Sequence, residues 1–172
     1  AGVLFVSLGA ALWWPLTLVG GSLLAVLSLG LLAHWWRAFT PGVLFADGAS
    51  AALAAALAAY GALLLAGALH GTRLAAADGM VLGFGAAFLL PLVSGALSQL
   101  LPVWRFPGPN SPARQEMRRC LVRFGRLRAF LFPLAGAACI VDYIPVGVLL
   151  AAAGLLLFAV DLVSALAIAL RV

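Results

Sequence analysis

Pro145–Leu170 reads PVGVLLAAAGLLLFAVDLVSALAIAL, an apolar run carrying a single ionisable residue, Asp161. At about 1.5 Å of rise per residue, such a run crosses a hydrocarbon core about 30 Å thick as one helix. The stretches upstream repeat the pattern. Apolar segments at about 16–36, 49–69, 75–103 and 124–141 are each bounded by short polar or Pro/Gly-containing stretches. Ahead of them, 1–14 is a shorter apolar segment, set off by Trp13-Trp14-Pro15. With no basic leading region and no initiator methionine, it is expected to be a truncated or processed helix rather than a signal peptide. The expected fold is an all-α polytopic transmembrane bundle in one domain, 1–172, with five full spans and a sixth in the first segment. Short connections make neighbouring helices antiparallel.

Composition excludes the alternatives. The 172 residues are 66% hydrophobic and 9% charged, with a mean hydropathy of +1.19. A soluble domain carries about 25% charged residues, so this chain cannot coat a water-facing surface. Its charge of +5 comes from ten arginines and no lysine against Asp47, Asp78, Glu116, Asp142 and Asp161. In a soluble protein that balance would suggest nucleic acid; among apolar spans it marks the cytoplasmic loops. Nucleic acid is therefore not an expected partner. Cys120 and Cys139 build no disulfide framework.

Arginine placement sets the orientation. Arg105, Arg114, Arg118, Arg119, Arg123, Arg126 and Arg128 fall between or beside the fourth and fifth of the six segments, 75–103 and 124–141. If that loop, 104–123, is cytoplasmic, alternation brings Arg37 and Arg171 to the same side and leaves only Arg73 outside. Trp13, Trp14, Trp35, Trp36 and Trp104 then fall near helix ends, as interfacial aromatics do. Within the loop, the turn-forming run Pro107–Pro112 precedes arginines that recur with helical spacing from Ala113 to Arg128. This basic amphipathic stretch offers Arg114, Arg118, Arg119, Arg123 and Arg126 as contacts for anionic lipid or a partner protein.

Ionisable groups inside a membrane are functional candidates by default. Asp161 is the leading one: it could relay protons, bind a cation, pair with an arginine of another subunit, or fix helix packing. Ser94, Ser98 and Gln99 form a polar stripe on the helix that Asp78 opens. Asp78 suits an N-cap, and with the stripe and Asp161 it makes a candidate intramembrane polar site. Pro91 and Pro102 are expected to kink that helix. His34 and His70 lie about a membrane thickness apart in this topology and cannot share a metal. The sequence carries no metal-ligand motif, P-loop or nucleophile–base arrangement, so no catalytic residues and no cofactor are assigned to this chain alone.

Leu82-Gly83-Phe84 followed by Ser94-Gly95-Ala96-Leu97-Ser98-Gln99-Leu100-Leu101-Pro102-Val103 resembles a helix of bacterial membrane proteins related to haem–copper oxidase catalytic subunits. The resemblance covers about Asp78 to Val172. It implies a bacterial cytoplasmic membrane and a setting beside a redox complex. The position of the relatives' histidine ligand holds Asp78 here, so their redox activity does not carry over. The expected function is a non-catalytic structural or accessory subunit of a larger membrane complex, respiratory or photosynthetic, with membrane lipids and other membrane subunits as partners. The alternative is a small transporter with a midplane site around Asp161.

Overall fold

In the computed structural model, residues 3, 4, 6, 14–38, 47–70, 77–109 and 111–170 are described. They form α1 (Trp14–Ala38), α2 (Gly48–His70), α3 (Ala77–Phe84), a π-helical turn (Gly85–Leu89), α4 (Leu90–Arg105), α5 (Pro112–Val122), α6 (Gly125–Ile140) and α7 (Ile144–Ala169). No strand occurs among the described residues. Four stretches are long and apolar enough to cross a membrane: Pro15–Ala38, Gly48–Gly67, Gly79–Arg105 and Ile144–Ala169. The expected first segment, 1–14, lies almost wholly outside the described residues, and so does Arg73.

The third of these stretches runs unbroken through the π turn, and Pro91 explains the turn. Proline has no N–H, and its ring crowds the carbonyl four residues earlier. Widening the preceding turn relieves this, and the Leu90 N–H reaches back five residues to the Gly85 carbonyl. The expected kink at Pro91 is thus absorbed as one wide turn. Pro102 sits inside α4, where the Phe106 N–H closes the last turn on its carbonyl at 3.1 Å.

Small residues set the helix packing. α2 buries Ala49, Ala51, Ala52, Ala54 and Ala56 and lies between α1, α4 and α6. α6 in turn packs along α7, α2 and α3. Where α2 and α6 begin, Gly48 and Gly125 lie backbone to backbone. A Cβ on Gly125 would stand 2.6 Å from the Gly48 Cα, and one on Gly48 would stand 2.6 Å from the Val122 carbonyl oxygen. Only glycine at both positions permits that approach. Outward, α7 exposes Leu149, Leu156, Val163 and Leu170, and α1 exposes Val19, Val26 and Leu27, as a lipid-facing surface does.

The helix ends at the arginine-rich side are staggered. Arg105 Nη2 donates to the Ala169 carbonyl at 2.9 Å, so α4 and α7 end at one level. α2 and α6 start much deeper. Gly95, packed on Ala49 and Ala52 of α2, is ten residues before Arg105, or about 15 Å along the axis. Asp161, which touches Phe124 just ahead of α6, is eight residues before Ala169, or about 12 Å.

α5 fills this recess. Ser111 caps it, accepting the Arg114 N–H at 3.3 Å, and Pro112 opens its first turn. Its apolar face, Met117 and Leu121, is fully buried against Ala165 and Leu162 of α7 and against Leu101 and Phe106. The basic stretch expected as one helix from Ala113 to Arg128 is therefore two. The chain descends as α5, breaks at Arg123–Phe124 and continues as α6 inside the bundle.

Candidate functional site

A helix break inside an apolar bundle strands backbone groups: the last carbonyls of one helix and the first amides of the next lack intrahelical partners. At Arg123–Phe124 two charged side chains meet those needs. The Phe124 N–H donates to Asp161 Oδ2 at 3.3 Å. Arg128 Nη2, one turn into α6, donates back to the Leu121 carbonyl near the end of α5 at 2.6 Å. The same nitrogen lies 3.6 Å from Asp161 Oδ2, while Arg123 Nε lies 3.4 Å from Oδ1. Asp161 is 0% exposed and Arg128 2%; the Arg123 side chain is 52% exposed. The Arg128 guanidinium also stands 4.7 Å from the Phe158 ring centroid, a contact that strengthens when water is excluded.

Ser98 joins this layer. Its hydroxyl donates to the Ser94 carbonyl at 2.7 Å and lies 3.3 Å from the Leu121 carbonyl. Ser94 in turn donates to the Pro91 carbonyl at 3.3 Å. Of the residues singled out from the sequence, Ser98 reaches the Leu121 carbonyl, Asp161 is joined to that carbonyl through Arg128, and Ser94 is joined to it only through Ser98. The other two go elsewhere. Asp78 is the second residue of α3, inside the helix rather than ahead of it as a cap, at the opposite end of the bundle, beside Gly79, which packs on the Cys139 carbonyl at the end of α6; the Asp78 side chain lies outside the described residues. Gln99 Nε2 donates to Asp47 Oδ2 at 3.3 Å.

Asp47 organises a second polar site above the first. It precedes α2, and its Oδ1 accepts the Ala49 N–H at 3.2 Å, which is N-cap chemistry. Its Oδ2 accepts from Gln99 and pairs with Arg118. A pocket of about 450 Å³ opens there, bounded by α4, α5 and the start of α2, with Arg114, Arg118, Arg119, Gln115 and Val103 in its walls. The five arginines proposed from sequence thus divide among three surroundings. Arg114, Arg118 and Arg119 line this pocket, Arg123 holds Asp161, and Arg126 lines an apolar pocket of about 320 Å³ with Trp36 and Phe130.

Sequence reasoning missed Arg128 and Asp47 as site residues. Arg128 carried a signal: it stands inside the apolar run of one span, and the one carboxylate inside another span needs a cation within reach. Asp47 stands just ahead of Gly48-Ala49-Ser50, a cap position, but nothing local tied it to Gln99 or Arg118, 52 and 71 residues away. The described histidine, cysteine and acidic side chains do not gather in threes as a metal site would need.

No model of a protein family, no curated protein and no solved structure matches the chain. What fold and site define is a class: an all-helical membrane chain whose intramembrane carboxylate pairs with arginines of its own sequence.

Proposed function

We propose that the chain is a non-catalytic structural or accessory integral-membrane subunit of a larger membrane complex. The observation that carries this reading is how Asp161 is engaged. Its carboxylate is fully buried, and its partners are Arg128, Arg123 and the Phe124 amide, all at the junction of α5 and α6. A transported proton or cation needs an acidic group that water can reach and that exchanges partners; this one holds a helix junction together. Gln99 lies apart from it on Asp47, which weakens the transporter alternative further.

In this reading the chain crosses the membrane five times, as α1, α2, α3–α4, α6 and α7. The arginine-rich ends and the end of α7 face the cytoplasm. α6 completes its crossing together with α5, which supplies the depth that a 16-residue helix lacks. The exposed outer faces of α1 and α7 are open to lipid and to neighbouring subunits. The resemblance to oxidase-related proteins makes a bacterial redox complex the setting to test.

The test is purification of the tagged protein from its native membrane in mild detergent, with mass spectrometry and a visible spectrum on the same fraction. Stoichiometric co-purifying membrane subunits are the expected result. A lone, colourless chain or homo-oligomer overturns the reading and returns the question to transport.

A further inference from the structure

We propose that the pocket above Asp47 binds a phosphate-bearing anion, and that its ligand is the headgroup of an anionic phospholipid. The proposal is independent of whether the chain has partner subunits.

Charge is the first argument. Arg114, Arg118 and Arg119 line the pocket, against one carboxylate, Asp47. Asp47 already pairs with Arg118 and accepts from Gln99, so two guanidinium charges stay uncompensated within one cavity. Arg114 Nη1 donates to the Gly108 carbonyl at 3.1 Å, which positions the group but leaves its charge in place. Guanidinium forks pair with phosphate oxygens through two parallel hydrogen bonds, so a phosphodiester suits two neighbouring arginines.

Depth is the second argument, and it selects the source. Gln99, Pro102 and Val103 of the pocket wall lie two to six residues before Arg105, hence about 3–9 Å below the end of α4. Trp104, which follows Val103 near the end of α4, is 65% exposed, as interfacial aromatics are. At that level the most abundant anions are lipid phosphates. Pro102, Val103 and Val122 add apolar wall for a glycerol backbone, which a free phosphate does not use. A volume of about 450 Å³ admits a headgroup together with that backbone. Basic pockets between spans at the cytoplasmic face take anionic headgroups in this way.

The experiment uses the whole chain in nanodiscs of phosphatidylcholine doped with phosphatidylglycerol. Retained lipid is counted by native mass spectrometry after release into detergent, and helicity is checked by circular dichroism. The wild type is expected to keep phosphatidylglycerol over phosphatidylcholine. Arg114→Gln and Arg119→Gln should each weaken retention about fivefold. Arg37→Gln, which removes an equal charge at the end of α1, should leave retention unchanged. Equal loss in Arg37→Gln overturns the pocket in favour of diffuse surface charge. Unchanged retention in the Arg114→Gln/Arg119→Gln double variant overturns it outright. Wild-type protein supplies an arm that needs no variant: millimolar inorganic phosphate or glycerol phosphate should fail to displace the lipid. Displacement by either overturns the lipid as ligand and makes the pocket a site for a soluble anion.

Discussion

Replacing Asp161 by asparagine removes one charge and almost no volume, which isolates the electrostatic role of the residue. The asparagine amide oxygen can still accept the Phe124 N–H, so that bond, about 1 kcal/mol net, persists. Arg123 is half exposed and its pairing with Asp161 is screened, a contribution below about 1 kcal/mol. The main loss falls on Arg128, left as a cation at 2% exposure with no carboxylate beside it. Removing one partner of a buried pair costs about 3–5 kcal/mol. The 3.6 Å separation, together with the Phe158 ring and the Leu121 carbonyl that remain, sets the expected value near 3 kcal/mol. That is a large fraction of the roughly 5–15 kcal/mol that holds a domain folded.

The assay is reversible unfolding in mixed micelles, followed by circular dichroism, on Asp161→Asn, Arg128→Gln and the double variant. Removing both charges strands neither, so the double variant should be more stable than the summed losses indicate, with a coupling of about 2 kcal/mol. A loss below about 0.5 kcal/mol for Asp161→Asn, or strict additivity, would refute the claim that the pair secures the α5–α6 break.

Gly125→Ala should destabilise by about 1–3 kcal/mol in the same assay, because its Cβ meets Gly48 backbone that cannot rotate away; a neutral result would mean that the two helix starts are not in contact. Asp142→Gly should stabilise by about 0.5–1 kcal/mol. Asp142 has φ +67 in the cap of α6, where the Tyr143 N–H returns to the Ala138 carbonyl at 2.8 Å, and glycine adopts that conformation without a Cβ penalty. Arg118→Gln should change stability by less than about 1 kcal/mol despite its ion pair with Asp47, since its side chain is 51% exposed; a larger loss in the melting profile would show the pocket to be a structural keystone.

The long apolar helices could be read from the chain because length and hydropathy are local quantities. The stretches expected at 16–36, 49–69 and 145–170 correspond to α1, α2 and α7 within two residues at each end. Asp161 stood out for the same reason, as one charge in a run that excludes charge. Level along the membrane normal is another matter. Hydropathy counts residues in a span but does not say where its neighbour starts, so the 12–15 Å recess at the arginine side, about ten residues of helix rise, was invisible. Arg123 and Arg126 looked like one surface stripe with Arg114, Arg118 and Arg119. The break at Phe124 divides that stripe, and it is decided by Met117 and Leu121 packing on α7, a contact 40 or more residues distant in sequence.

The placement of Arg128 also bears on how the protein enters a bilayer during synthesis. α6 offers only 16 residues and carries Arg126 and Arg128 in its first turn, short of the roughly 20 apolar residues that a lone span needs. Alone, such a segment is a poor substrate for lateral release from a translocation channel. Its neutralising carboxylate emerges later, on α7, across a turn of three residues, Val141–Tyr143. On the five-crossing reading, α6 and α7 are expected to leave the channel as a hairpin, with Asp161 beside Arg128 before either meets lipid. Chains halted before Asp161 should then leave α6 uninserted, so commitment of that hairpin waits on a single late residue.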